Sequence, residues 1–211
     1  GDLGGFDQPR SSRAPLLAQR CGLLLQDDRR LRQVNDYKEL SGGDGRYFVD
    51  AAGLQLHVRP FGDRPPQEST WEATARSQAI MPDVAELGWI HLRNLTIRRC
   101  GNRFPFIPQD GAICANRGHH WIVEDCLIET VNGIGIDLGR RDARMKTATI
   151  PGHHIVRRNQ VRDCGICGIA GIHLAHSLIE DNLVESCCWH DVEEMWESAG
   201  IKTHHNHDTL V

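Results

Sequence analysis

Along the second half of the chain, apolar residues recur at a period too long for one helix and too regular for loops. Anchored on Ile97, Ile128, Val161 and Val184, four copies of one short unit align. Leu92, Val123, Val156 and Ile179 stand five positions before the anchors, and Cys100, Val131, Cys164 and Cys187 three positions after. Asn94, Asp125, Arg158 and Asp181 precede the anchors by three, and Leu95, Cys126, Asn159 and Asn182 by two. The middle copies continue into Gly135-Ile136 and Gly168-Ile169, and His207 to Val211 opens a fifth copy. The anchors are spaced 31, 33 and 23 residues apart.

Self-similarity at roughly 20–50 residues marks a solenoid. The unit is strand-like: Leu92-Arg93-Asn94-Leu95-Thr96-Ile97 and Val123-Glu124-Asp125-Cys126-Leu127-Ile128 are short and rich in apolar and β-branched residues. One such strand cannot bury its apolar side alone. Stacked coil on coil, equivalent residues form a continuous interior ladder, each buried Val or Ile contributing roughly 1.5–3 kcal/mol. Asn at equivalent turns can bond along the stack and tolerates left-handed backbone angles. The pattern predicts an all-β chain: a right-handed parallel β-helix of about four coils over 87–211. The strand signal that begins at His207 is cut off at Val211, so the expectation is a helix truncated at its C-terminus, part of a longer protein.

Upstream the pattern changes. Residues 1–20 are polar and read as a connector. Residues 21–86 read as a small antiparallel β module. It contains Leu23-Leu24-Leu25, a turn at Ser41 to Gly45, and a hairpin of 46–50 against 54–58. In that hairpin Leu54, Leu56 and Val58 face inward and Gln55 and His57 outward. Thr70 to Ala75 adds another strand, and Phe104 to Pro108 makes a rigid loop off the first coil.

The net charge of −4 gives no basic surplus, so a nucleic-acid partner is not expected. No run of 18 apolar residues suggests a membrane partner. Gly1 to Gly5 has no signal-peptide character, and the compartment stays open. Of eight cysteines, Cys100, Cys164 and Cys187 share a ladder position held by Val131 in the second coil, which favours small apolar packing. Disulfides come next, and zinc at the lone Cys164-Gly-Ile-Cys167 pair is the weakest choice.

Chemistry concentrates on the strand after each Gly-Ile step. If Ile113, Ile136, Ile169 and Ile201 align, the next residues form the column Cys114, Asp137, Ala170, Lys202. With coils about 4.8 Å apart, Asp137 and Lys202 stand roughly 10 Å apart on one outer face. Small Ala170 and Gly171 leave room for a ligand between them, and the competing reading is a solvated face with scattered charges. The interruption from Cys188 to Ala199 brings Glu194, Trp196 and Glu197, an aromatic face with carboxylates of the kind that holds a sugar. A capping helical turn is the alternative. His204 follows Lys202 on the same side. His119-His120 and His153-His154 recur at one place in two coils, which points to turn packing. His204 and His207 also have spacing open to a metal, but no metal or other cofactor is assigned.

Arg117 to Asp125, Cys167 to Gly171 and Trp196-Glu197-Ser198-Ala199-Gly200-Ile201-Lys202 resemble right-handed β-helix carbohydrate-active proteins, nearest to glycoside hydrolase family 120, the β-xylosidase-like group. That resemblance implies Glu197 and Lys202 as substrate-binding residues, joined here by Trp196, His204 and Asp137. It also implies catalytic carboxylates on later coils, in a Trp-Leu-Asp-Trp-like stretch that this sequence does not contain. Either those coils belong to a longer enzyme, or Asp137, Glu194 and Glu197 are the catalytic candidates here. The expected partner is an oligo- or polysaccharide. The first expectation is a glycoside hydrolase. A polysaccharide lyase using Lys202 as base, and a non-catalytic β-helix for adhesion or structure, are the alternatives.

Overall fold

The computed structural model describes residues 22–50, 55–102, 110–115, 117–139, 152–190 and 198–211. From Gly88 onward, three four-stranded parallel sheets form three walls. The first wall stacks His91–Arg93, Ile122–Glu124, Ile155–Arg157 and Leu178–Glu180. The second stacks Thr96–Arg98, Leu127–Val131, Gln160–Cys164 and Leu183–Glu185. The third stacks Gly111–Cys114, Ile134–Asp137, Cys167–Ile172 and Ala199–His204. The chain visits the walls in turn, which is a parallel β-helix.

The register is the one the repeat predicts. Leu92, Val123, Val156 and Ile179 pair in sequence along the first wall. Ile97, Ile128, Val161 and Val184 do so along the second. Ile113, Ile136, Ile169 and Ile201 follow along the third. Most of these side chains are buried in one continuous core. Ahead of the first strand of the third wall, Ile80 adds a single parallel bridge to Ile113.

Coils turn at corners held by left-handed residues that are not glycine. The first corner uses Trp89, His120, His153, His176 and Asp208; the second uses Asn94, Asp125, Arg158 and Asp181; the third uses Arg99, Thr130, Asp163 and Ser186. Such angles are disfavoured for bulky residues and persist only where the surroundings over-determine them. Here the rungs do so: the Asp125 N–H donates to the Arg157 carbonyl (3.3 Å), and the Arg158 N–H to the Glu180 carbonyl (3.3 Å). Beside the second corner runs the expected asparagine ladder. Asn159 Oδ1 accepts from the Cys126 N–H and Asn182 Oδ1 from the Asn159 N–H, both at 3.0 Å.

The paired histidines are offset by one residue rather than equivalent. His119 bridges Gly152, and His120 stacks on His153 at 4.6 Å between ring centroids. His154 instead points into the core, fully buried. Its Nδ1 accepts from the Trp121 N–H at 3.3 Å, and burial holds its pKa down at about 3.

Upstream, Leu24–Gln26 pairs antiparallel with Arg29–Arg30 and with Trp71–Ala73, and Arg46–Val49 with Leu56–Arg59. The module is not purely antiparallel, since Arg32–Gln33 runs parallel to Arg46–Val49. Leu24, Leu31 and Tyr47 form its own small core, with Leu56 and Val58 packed against it. Leu54 lies outside the described residues. The module is tied to the helix by ion pairs of Arg99 with Asp28 and Glu72, and by Arg30 with Asp163 at 2.6 Å. At Gly101 the two parts come close: a Cβ there would lie 2.5 Å from Thr74 Oγ1 and 3.0 Å from the Gly22 Cα, so a larger residue would have to push the module aside.

Candidate functional site on the third wall

One outward column on each of the first two walls alternates in charge from rung to rung. Arg93, Glu124, Arg157 and Glu180 pair in order on the first wall. Arg98, Glu129, Arg162 and Glu185 do so on the second. Opposite charges on neighbouring rungs attract. Buried Glu124 accepts from Arg157 Nε and Arg158 Nη2, both at 2.8 Å, and lies 2.9 Å from His91 Nε2. Arg157 first, then His91 and Arg158, pull its carboxyl down to about 2. Glu124 and Glu129 are committed to the arginines beside them.

The third wall differs. Its column is Cys114, Asp137, Ala170 and Lys202, in the register the sequence predicts. Asp137 has Cys114 on one side and Ala170 on the other, so no opposite charge stands on an adjacent rung. Over its first three rungs the column is not the solvated face of the competing reading. Cys114 is fully buried, and Asp137 and Ala170 are 5% and 7% exposed. Lys202 and His204, further along the last strand, are half-buried.

Asp137 is held by light contacts. Its Oδ1 accepts from the Gly139 N–H at 3.0 Å, and the Cys114 thiol donates to Oδ2 at 3.8 Å. Burial pushes its carboxyl up to about 7. The Gly139 and Cys114 hydrogen bonds act against this, and the nearby Asp110 charge acts with it. Asp110 is the residue that sequence reasoning missed. It sits just ahead of the strand Gly111–Cys114, half-buried, where Gln78 Nε2 donates to it at 3.4 Å. Donor atoms of Asp110, Cys114 and Asp137 all lie within 4.8 Å of one another. Asp110 precedes a glycine in a stretch outside the repeat, so no periodic signal marks it.

Of the predicted site residues, the structure brings Asp137, Lys202 and His204 onto one wall. Glu194, Trp196 and Glu197 lie outside the described residues, as does the Phe104 to Pro108 loop. His207 approaches His176 and Asp208 rather than His204. The seven described cysteines are free thiols, five of them buried, which agrees with small apolar packing.

A separate cavity of about 550 Å³ lies between the module and the coils, lined by Arg30, Arg32, Gln33, Tyr47, Asn132 and Trp189 among others. Its polar groups are already used where the module meets the coils. Arg30 lies 3.6 Å over the Trp189 ring while bonding Asp163.

Among curated proteins, none matches the chain. Among solved structures, the complex of XylC with xylose is similar at a TM-score of 0.68 and 19% identity, over 87% of this chain. The chain spans 37% of that protein's length, and at this identity the likeness is one of fold alone. The family model described as the right-handed β-helix region matches residues 88–211, more than half of the sequence. By that match, and by three parallel walls in a single register, the chain belongs to the right-handed β-helix family.

Proposed function

We propose that this chain is carbohydrate-active, a β-xylosidase-like glycoside hydrolase or part of one, with the third wall as its sugar-facing side. The observation that carries the reading is the Asp110–Asp137 pair. Two carboxyls come within 4.8 Å on a wall that lacks the arginine ladders of the other two. Asp137 keeps its proton up to about pH 7. A glycosidase needs one carboxyl kept protonated as the acid and one ionised, and separations of about 5–5.5 Å suit the retaining mechanism. Asp137 takes the part of the acid, donating its proton to the leaving oxygen. Asp110, half-buried, takes the part of the nucleophile. Lys202, two rungs from Asp137, binds sugar hydroxyls beside them, with His204 next to it. Glu197 and Trp196 complete the subsite implied by the Trp196-to-Lys202 stretch. The xylose held by the similarly folded XylC supports a saccharide ligand.

The test is hydrolysis of an aryl β-xyloside by the full-length protein. Asp137→Asn is expected to lower kcat by roughly 10²–10⁴-fold, the usual contribution of a positioned acid. Lys202→Ala is expected chiefly to raise KM. Unchanged turnover in both Asp137→Asn and Asp110→Asn would remove the catalytic pair. Formation of an unsaturated uronate product would instead assign lyase chemistry, with Lys202 as base. Neither product, together with no saccharide binding, would leave an adhesive or structural solenoid.

A further inference from the structure

We infer that His176, His207 and Asp208 form a binding site for a divalent transition-metal ion, clamping the fourth coil to the start of the fifth. The inference is independent of the third-wall chemistry.

The first corner carries a column of flat rings. Trp89 stacks on His120 at 4.0 Å, His120 on His153 at 4.6 Å, and His153 on His176 at 4.9 Å. In the fifth coil the corner position passes to Asp208, left-handed like the residues before it. The stack therefore ends on a carboxylate. His207, just before it, does not continue the stack. Its ring stands at 75° to that of His176, with centroids 5.6 Å apart, whereas the stacked histidine pairs are tilted by 11° and 26°. The edges of both rings turn towards Asp208: His207 Nε2 lies 3.0 Å from Asp208 Oδ2, and His176 Nδ1 lies 3.6 Å from it.

The donor atoms of all three residues fall within 4.8 Å of one another. Tetrahedral zinc with bonds of 2.0–2.2 Å needs donors about 3.3 Å apart, a distance that small side-chain rotations reach. The backbone beneath them is fixed by a rung rather than a loose loop. Ala175 bridges His207, and the His176 N–H donates to the His207 carbonyl at 2.9 Å. Two imidazoles and one carboxylate suit zinc, nickel or copper; calcium and magnesium prefer all-oxygen sets. All three residues are exposed. Water or a further ligand can therefore fill the remaining positions.

The experiment is calorimetric titration of tag-free protein with Zn²⁺, with Tm measured in parallel. One equivalent is expected to bind and raise Tm, since an ion that binds only the folded state stabilises it. His207→Ala and Asp208→Asn should each weaken binding at least ~10-fold and abolish the Tm rise. His205→Ala, removing the ring stacked on His173 in the same turn, should leave affinity unchanged. Ca²⁺ should not bind. Co²⁺ should give a spectrum without thiolate charge transfer. The inference is overturned if Zn²⁺ does not bind, if binding survives both ligand variants, if it is lost in His205→Ala, or if a thiolate band appears.

Discussion

The first and third walls use the same backbone for opposite ends. Each buries a column of Leu, Val or Ile inward and holds a carboxylate on its outer side. On the first wall Glu124 meets an arginine on both neighbouring rungs and is driven towards full ionisation. On the third, Asp137 meets a thiol and a methyl, and burial drives it towards the protonated form. Two acids in equivalent solenoid settings are thus pushed several pH units apart. The difference teaches where to look for chemistry in a β-helix. A carboxylate within an alternating ladder is neutralised by its neighbours, whereas one placed outside any ladder is available for proton transfer.

The sharpest way to break this contrast is Asp137→Asn, followed by unfolding across pH. Moving a carboxyl from 3.8 to about 7 in a fully buried site disfavours its ionised form by about 4 kcal/mol. Because the folded pKa is raised, that stability is present below pH 4 and lost as pH rises through 7. The variant lacks this loss. It should match the parent at pH 4 and exceed it by up to about 4 kcal/mol above pH 7. Equal stability at pH 8 would show that Asp137 ionises without cost.

Glu124→Gln is the mirror experiment, with the opposite sign. Glu124 is depressed in the fold, so its contribution is full above about pH 4.5 and is lost as pH falls towards 2. The variant should melt several degrees lower at pH 7 and converge with the parent in acid, while the hydrolysis proposed for the full-length protein, which the third wall would carry, is unaltered. A loss of turnover without loss of Tm would reassign the first wall as functional.

The smallest effect is expected on the second wall. Glu129→Gln breaks the 2.7 Å pair with Arg162, both partners reaching solvent. Exposed pairs contribute little and are screened by salt. The Tm change should be near the limit of detection and vanish at high salt. A large, salt-resistant drop would mean that the ladders act cooperatively rather than pair by pair.

Much of this was legible along the chain. The inward columns, the parallel register and the alignment of Asp137 with Lys202 follow from one repeat, because each rung pairs with a copy of itself and any slip would turn apolar residues to the wrong face. The alternating ladders are legible too, four positions before each anchor and one after it. Folding alone decided three things. Asp110, outside any repeat, reaches Asp137. Cys114, Asp137 and Ala170 of the third wall are buried rather than solvated. His207 turns to His176 and Asp208. The physical reason is common to all three. Repeated strands specify one another locally, so their pattern is written in the sequence. Desolvation and the meeting of corner or loop side chains depend on non-repeating neighbours from distant segments, which only the assembled coils bring together.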